Sequence, residues 1–259
     1  MSAYLSVCAI YRDEGPYLEE WIEFHRLVGV ERFFLYDNES TDDHAAVLAP
    51  YVSEGIATVH YWPGRPRQKE AYEHCLAEHG EESRWVAFLD LDEFLFSPEL
   101  RPVNELLVEY EQWPAVGVNR VTYGTSGHKE KPEGLVIEEY VMRFPAVASI
   151  KTIVDPARTA GFVNVHAFSY RDDGFAVDEK KKPIDGWVTD EYTFDRLRIN
   201  HYYTRSEAEF ADKLDHVRAD NAEFRKRPKN PVVGKERDDT ITAYAPSLRE
   251  AISRRVGSG

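Results

Sequence analysis

Three carboxylates lie within four consecutive positions of one apolar segment. Asp90, Asp92 and Glu93 are flanked by apolar side chains in the segment Phe88–Leu95. Negative charge at the end of a buried strand is costly unless a cation compensates it. Oxygen ligands without cysteine suit a hard ion such as Mg²⁺ or Mn²⁺, which keeps part of its coordination shell for water and substrate phosphate. The pattern predicts a divalent-ion site at Asp90 and Asp92; the alternative is a strand end whose acids cap the following turn.

Two further polar clusters follow apolar segments near the start of the sequence. Arg12–Glu14 follows Tyr4–Tyr11, and Asp37–Asp42 follows Phe33–Tyr36. The short apolar runs alternate with helical segments here, which is typical of the crossovers that build a parallel sheet. Ligands bind at the carboxyl ends of the strands in such a sheet. We therefore expect all three polar clusters to meet at one site.

The elements that position these residues are predicted from periodicity and turn residues. Predicted strands are Tyr4–Tyr11, Phe33–Tyr36, Ile56–Trp62, Trp85–Leu89, Val116–Tyr123 and Arg196–Tyr203, with short strands around Lys151–Val154 and Val163–Tyr170. The first predicted helix begins at Pro16 and ends near Gly29. The other predicted helices are Asp43–Val52, Arg67–Glu78, Val103–Gln112, Ser206 to about Phe224, and Pro246–Val256. The polar stretch Arg171–Pro183 is predicted to be a solvated loop. The whole chain is predicted to be one α/β domain with a mainly parallel sheet flanked by helices and an elaborated C-terminal half.

Composition excludes several classes of protein. The chain has 259 residues, 32 basic and 46 acidic side chains, a net charge of −14 and 42% hydrophobic residues. This hydrophobic share can build a core, which excludes a disordered chain, and the acidic excess argues against binding a nucleic-acid backbone. The two cysteines make no disulfide framework. Because no apolar window reaches transmembrane length and no signal peptide is present, we expect a cytoplasmic protein without a transmembrane segment, which leaves peripheral membrane association open.

Several segments resemble one group of glycosyltransferases. Asp37–Asp42 is similar to the Asp-Asp/Asn-x-Ser-Thr-Asp signature of family 2-type enzymes, and Phe88–Leu95 resembles the extended DxD motif of the related family 92. Further similar segments are Tyr11–His25, Tyr123–His128, and Asn200–Tyr202 with Arg205-Ser206. The resemblance implies a GT-A fold with a nucleotide-binding half (residues 1–100), an acceptor-binding half (101–225) and a C-terminal tail (226–259). It also implies inverting transfer of a sugar from a nucleoside diphosphate donor, with a UDP-sugar expected, to a glycan or other hydroxyl acceptor, with Mn²⁺ or Mg²⁺.

The same resemblance suggests ligands for the ion. Asp92 is expected to bind the ion that bridges the donor phosphates, and Asp90 to face the donor ribose or a water on the ion. His201 is the expected further ligand, since it ends a predicted strand downstream of the motif. His166 is the alternative ligand, and a structural histidine is the other interpretation of His201.

The donor pocket is expected to use residues from several segments. Asp37 or Asn38 would contact the nucleobase, Glu14 would line the pocket, and Gln68 is a further donor-site candidate. Lys151 would neutralise a diphosphate oxygen, although an exposed lysine lying along the surface is the ordinary interpretation.

An inverting transfer needs a general base for the acceptor hydroxyl. Asp190 and Glu191 are the candidates, while Glu93 is interpreted as structural. Two rival functions stay open: a sugar nucleotidyltransferase, disfavoured by the acidic turn Arg12–Gly15, and a catalytically silent carbohydrate-binding module on the same fold.

Overall fold

The structure is a computed structural model that describes residues 2–145, 149–215, 223 and 232–256. The strands in this part are β1 (Ala3–Tyr11), β2 (Arg32–Asp37), β3 (Ala57–Tyr61), β4 (Ser83–Phe88), β5 (Glu93–Phe96), β6 (Ala115–Thr122), β7 (Met142–Arg143), β8 (Ile150–Val154), β9 (Thr159–Asn164), β10 (Ala167–Tyr170), β11 (Ala176–Val177), β12 (Arg198–His201) and β13 (Glu236–Arg237). The helices are α1 (Gly15–Leu27), α2 (His44–Ser53), α3 (Gln68–His79), α4 (Val103–Leu107), α5 (Val136–Glu139), α6 (Glu207–Asp215) and α7 (Ala245–Val256).

One large sheet organises the described residues. Its strand order is β3-β2-β1-β4-β8-β6-β12-β5, and β11 pairs with β6. Strands β3, β2, β1 and β4 are mutually parallel, as are β6 and β12, whereas β8 and β5 run antiparallel to their neighbours. The predicted α/β class with a mainly parallel sheet and an elaborated second half is confirmed. The sheet contains strands from both predicted halves of the chain.

The core explains why the first strand and helix form as predicted. Strand β1 is buried at eight of its nine positions, which matches the continuous apolar run of a parallel strand covered on both faces. Helix α1 buries Leu18, Trp21 and Phe24 and packs against α2, β5 and α7. Gly29 follows α1 with a φ of +99°, and a Cβ there would lie 2.2 Å from Asn104 Oδ1. The predicted glycine terminus of this helix therefore has a steric as well as a conformational reason.

Strand β5 was not predicted, and it is the element that assembles the site. After the carboxylate motif the chain turns back, and Glu93–Phe96 pairs antiparallel with β12. The register places His201 opposite Glu93 on one side and Thr122 on the other. The pairing joins segments about a hundred residues apart, so local periodicity carries no trace of it.

The segment Arg171–Pro183 is only in part the solvated loop that was predicted, because residues 176–179 are buried. Ala176–Val177 forms β11 beside β6, and Asp178 and Glu179 are buried. The Glu179 carboxylate accepts the backbone N–H groups of residues 195, 196 and 197 at 2.7–2.9 Å, so burial of this acid is compensated by hydrogen bonds. The two ends of the segment, Arg171–Asp173 and Lys180–Pro183, are exposed as predicted.

Three other elements differ in extent from the prediction. Val163–Tyr170 contains the end of one strand and a second strand of a hairpin, β9 and β10, rather than a single strand. The helix predicted over Val103–Gln112 is α4 followed by a 3₁₀ turn at Val108–Tyr110. The helix predicted from Ser206 is described up to Asp215, and its predicted continuation to Phe224 lies outside the described residues. Within the described ranges, no helix has the length and apolar character needed to cross a bilayer.

Candidate active site

A cavity of about 820 Å³ opens at the carboxyl ends of β1, β4 and β12. Side chains from all three strand ends and from α6 line it, among them Glu14, Asn38, Gln68, Asp90, Asp92, Arg120, His166, His201, Arg205 and Lys213. The expected convergence of the strand-end clusters is therefore present for Arg12–Glu14 and for the carboxylate motif. The Asp37–Asp42 cluster contributes only Asn38.

A second cavity, of about 840 Å³, lies between α1, α2 and α7. Arg255 reaches across it to Glu23 and Glu54. Of the described residues that line this cavity, none belongs to a strand-end cluster. The smaller cavity at the strand ends is therefore the candidate active site.

Asp92 is held between a histidine and a lysine. Its Oδ1 lies 3.4 Å from His201 Nε2, and its Oδ2 lies 2.5 Å from Lys213 Nζ. The pKa of the Asp92 carboxyl is lowered well below its usual value, because Lys213 and His201 outweigh the opposing effect of burial. Asp92 is thus a carboxylate facing the cavity at neutral pH.

Asp90 is fixed by two groups expected to serve the donor. Gln68 Nε2 donates to Asp90 Oδ1 at 2.9 Å, and the Lys151 ammonium lies 2.9 Å from Oδ2. Burial raises the pKa of Asp90, but Lys151 outweighs it and the net shift is downward. Lys151 is only 1% exposed, so the alternative of a surface lysine is excluded. In this structure both Gln68 and Lys151 hold the Asp90 carboxylate in place.

Glu93 anchors the motif from the protein interior. It is fully buried, its Oε1 lies 2.9 Å from Arg120, and its Oε2 lies 3.4 Å from Lys151 and accepts the Asp90 backbone N–H at 3.0 Å. These contacts agree with the structural role predicted for Glu93. A buried carboxylate with two cations and a backbone donor holds the turn that carries Asp90 and Asp92.

Arg205 forms the opposite wall with Glu14 and Tyr17. Arg205 lies 2.7 Å from Glu14 Oε2, and its guanidinium stacks 3.5 Å from the centre of the Tyr17 ring. Burial raises the pKa of Glu14, partly opposed by Arg205. Among the described residues, the Nε atoms of Arg205 and Arg120 have no hydrogen-bond partner. Both arginines line the cavity, where a guanidinium group can pair with an anionic ligand.

The charges around the motif are balanced by side chains. The four carboxylates Asp90, Asp92, Glu93 and Glu14 face the four cations Lys151, Arg120, Lys213 and Arg205. The compensation expected for a crowded strand end is therefore supplied, in this structure, by ammonium and guanidinium groups.

His166 also lines the cavity. Its Nδ1 lies 2.8 Å from the carbonyl oxygen of Ile150 and donates to it, which leaves Nε2 as the unprotonated nitrogen. Burial lowers the pKa of His166 to about 3, with Arg120 and Lys151 acting in the same direction. The imidazole stays neutral across the physiological range, which is the form that ligates metals.

Asp37 and Asn38 serve the loop around them. Asp37 Oδ1 accepts the Ser40 backbone N–H at 2.8 Å, and the Asn38 amide donates to the carbonyl oxygens of Trp62 and Gly64 at 2.6 and 2.8 Å. Asn38 borders the cavity while Asp37 does not. A contact of either residue with a nucleobase stays a prediction.

Asp190 and Glu191 lie outside the cavity. Both are exposed, and Glu191 forms an ion pair of 2.9 Å with Lys182. The structure therefore does not bring these two predicted base candidates to the motif. Neither residue lies at the carboxyl end of a predicted strand, where ligands of a parallel sheet bind.

Sequence reasoning missed the cations Arg120 and Lys213 altogether and gave Arg205 no role. Arg120 is near the carboxyl end of a predicted strand, which is a usable signal. Lys213 lies within a predicted helix, and Arg205 has a left-handed backbone with φ of +50° just before that helix. Nothing local marks Lys213 as part of the site, whereas Arg205 belongs to a segment that the family resemblance already included.

The donor set fits a divalent ion in its chemistry. Asp92 and His201 present an oxygen and a nitrogen 3.4 Å apart, with Asp90 on the same wall. Within the part of the chain that the structure describes, no three acidic, histidine or cysteine side chains are already arranged around a common point. The Lys213 ammonium stands against Asp92 instead.

Comparison with known proteins identifies the family. The sequence model of glycosyltransferase family 92 matches residues 3–231. A family 92 protein of Oryza sativa subsp. japonica is 33% identical over 174 residues, 65% of this chain and 30% of that protein. The galactan beta-1,4-galactosyltransferase GALS2 of Arabidopsis thaliana is 28% identical over 116 residues, 40% of this chain and 22% of that protein.

The chain spans about a third or less of the length of these relatives. Among solved structures, S. aureus TarS 1–349 in complex with UDP overlaps 60% of this chain and 47% of its own, with a TM-score of 0.42 and 13% identity. At that distance the overlap says nothing about ligands of this chain. The family model, by contrast, covers almost all of the sheet and every residue of the cavity named above: the chain belongs to glycosyltransferase family 92.

Proposed function

We propose that this protein transfers a sugar from a UDP-sugar to a hydroxyl group of a glycan or similar acceptor, with inversion at the anomeric carbon and with Mn²⁺ or Mg²⁺. The observation that carries the proposal is the meeting of Asp90, Asp92 and His201 with two partly unsatisfied guanidinium groups in one cavity at the strand ends. Carboxylates for an ion and guanidinium donors for phosphate are what a nucleoside diphosphate requires. Family membership supports the same class of reaction.

In this proposal each side chain has a defined task. Asp92 and His201 hold the ion, which offsets the charge that develops on the leaving diphosphate. Gln68 and Lys151 keep Asp90 in place toward the donor ribose. Arg205 faces the cavity from the opposite wall.

The general base is proposed among the carboxylates that line the cavity. Glu14 is favoured over the exposed Asp190 and Glu191, because burial raises its pKa toward the range useful for taking a proton from a hydroxyl. Arg205 would hold Glu14 in position through the 2.7 Å contact.

The test is donor turnover. Purified protein is incubated with UDP-galactose, UDP-glucose and other UDP-sugars plus Mn²⁺, and release of UDP is followed with and without EDTA. Metal-dependent UDP release supports the proposal. Pyrophosphate release from a nucleoside triphosphate and sugar phosphate would favour a nucleotidyltransferase, and sugar binding without turnover would favour a silent module.

The melting temperature gives a second test of metal-dependent donor binding. UDP is expected to raise the melting temperature in Mn²⁺ and to lose most of that effect in EDTA, since ligand binding to the folded state stabilises it by mass action. An equal shift in EDTA would contradict the metal assignment. Once an acceptor is found, NMR of the first product distinguishes inversion from retention.

A further inference from the structure

Lys213 reaches from α6 to the ion-binding face of Asp92. Its ammonium lies 2.5 Å from Asp92 Oδ2 and donates to the carbonyl oxygen of Tyr203 at 3.0 Å. The Lys213 side chain is 29% exposed, against 9% for that of Asp92, and both side chains line the cavity. A cation thus already stands at the carboxylate that is proposed to bind the metal ion.

The four ion pairs at the motif offer no excess negative charge to a lone divalent ion. Four carboxylates are matched there by four side-chain cations, and the second Asp92 oxygen faces His201. An added ion of charge +2 would raise the local charge to +2 unless a cation moves away or an anion enters. A nucleoside diphosphate is an anion that fits this requirement.

We propose that Lys213 is the resident counter-ion of Asp92, and that it transfers to the donor diphosphate when donor and ion bind. The inference rests on the proposed function. An ammonium on a flexible four-carbon stem can exchange a carboxylate for a phosphate without a change of protonation. Ion and diphosphate then bind together, because the diphosphate supplies the negative charge that compensates the ion and accepts the Lys213 ammonium displaced from Asp92.

The surroundings of α6 allow the side chain to move while the helix stays. Glu209 of the same helix accepts from the Ser206 hydroxyl at 2.6 Å and contacts the Tyr17 hydroxyl, which ties the first turn to the cavity wall. The exchange therefore does not require the first turn of α6 to move. Lys213 is a positioning residue in this view, first for Asp92 and then for the leaving group.

The test measures Mn²⁺ affinity rather than turnover. Free Mn²⁺ is quantified by electron paramagnetic resonance in titrations of the wild type and of Lys213→Met, each with and without UDP. Without UDP, we expect the variant to bind Mn²⁺ about tenfold more tightly, because Asp92 has lost its competitor. UDP should tighten Mn²⁺ binding by about tenfold in the wild type and by clearly less in the variant.

A matched control separates the effect of the Lys213–Asp92 contact from the effect of removing any positive charge from the cavity. Lys131→Met removes a cation that lines the same cavity but lies over the Tyr17 ring, 4.3 Å from its centre. Its Mn²⁺ affinity without UDP should stay close to that of the wild type. Lys213→Gln, with circular dichroism on every protein, guards against a folding effect of the methionine.

The outcomes are distinguishable. Equal Mn²⁺ affinities of wild type and Lys213 variants, or an equal gain in Lys131→Met, would overturn the role of Lys213 and leave the glycosyltransferase proposal intact. Absence of Mn²⁺ binding in all proteins, with UDP present, would overturn the metal assignment and this inference together.

Discussion

Two groups of carboxylates meet at the same edge of the sheet and differ in what they bind. Asp13, Asp37 and Asp42 accept backbone N–H groups: those of Thr41, Ser40 and Gly15, at 2.6, 2.8 and 2.6 Å. Asp90 and Asp92 face the ammonium groups of lysines instead. The first group closes the loops after β1 and β2 onto each other, and we call it the loop-bracing group.

The difference separates a structural acid from one that can exchange its partner. A backbone N–H that is fixed in a loop cannot leave without local unfolding, whereas a lysine side chain can rotate away. Asp92, whose partner Lys213 is partly exposed, can therefore take a new cation, whereas Asp90 is held by the buried Lys151. Those of the loop-bracing group stabilise the shape of the cavity rim.

The largest effect is expected from a substitution of Asp92 in the motif. Asp92→Asn keeps the size of the side chain but removes the charge that we propose holds the ion, so donor turnover should fall by about 100- to 1000-fold. The measurement is kcat/KM for UDP release from UDP-galactose or the best donor found. Asp42→Asn, in the loop-bracing group, is the matched control, and a similar loss in both variants would contradict the distinction.

The second effect concerns the buried anchor of the motif. Glu93→Gln leaves Arg120 and the buried Lys151 with less compensation, and breaking such a pair lowers the free energy of unfolding by about 3 kcal/mol. Urea denaturation checks this expectation. A loss below about 1 kcal/mol would show that the anchor is replaceable.

A third effect uses Glu20, which accepts the backbone N–H groups of Val136 and Ile137 at 2.9 and 3.3 Å. Burial raises the pKa of Glu20 to about 7 despite these bonds. The folded state therefore holds a proton that the unfolded state has already lost, so this contribution to stability is complete below the usual carboxyl pKa and is lost as the pH rises through about 7.

The measurement is the free energy of unfolding of wild type and Glu20→Gln at pH 5 and pH 8. The stability of the variant relative to the wild type should rise between the two pH values by about 2–3 kcal/mol. A difference that does not change with pH would show that the pKa of Glu20 is not raised in the folded protein.

The smallest effect is expected for the bracing contact itself. Asp42→Ala removes the acceptor of the Gly15 N–H at the start of α1 and should lower the free energy of unfolding by about 1 kcal/mol. Affinity for Mn²⁺ in the presence of UDP should be unchanged. A clear loss of that affinity would place the bracing group within the binding site.

Much of the fold was predictable because it rests on local patterns. The first four parallel strands and the helices between them follow from apolar runs, a proline in the first turn of α1 and polar turns at the strand ends. The motif Asp90–Glu93 was recognisable because three acids after a buried strand need compensation. The rule that ligands bind at the strand ends then located the cavity.

The cations that provide the compensation were not predictable, and the physical reason is chain separation. Arg120 and Lys213 lie 27 and 121 residues from the acids they contact. Side chains so distant are brought together by the β5–β12 pairing and by the position of α6, and a single arginine or lysine in a strand or helix has no distinctive periodicity. The same holds for the buried Glu179, whose polar surroundings in sequence are those of a loop.

The amino-acid sequence by itself determined the alternation of elements, the acidic motif and the edge of the sheet on which it acts, because each depends on neighbours within about a dozen residues. Only the tertiary structure decided which acids brace loops and which face exchangeable cations. That choice depends on whether a backbone N–H or a distant ammonium arrives at the carboxylate, and the packing of the whole sheet sets this.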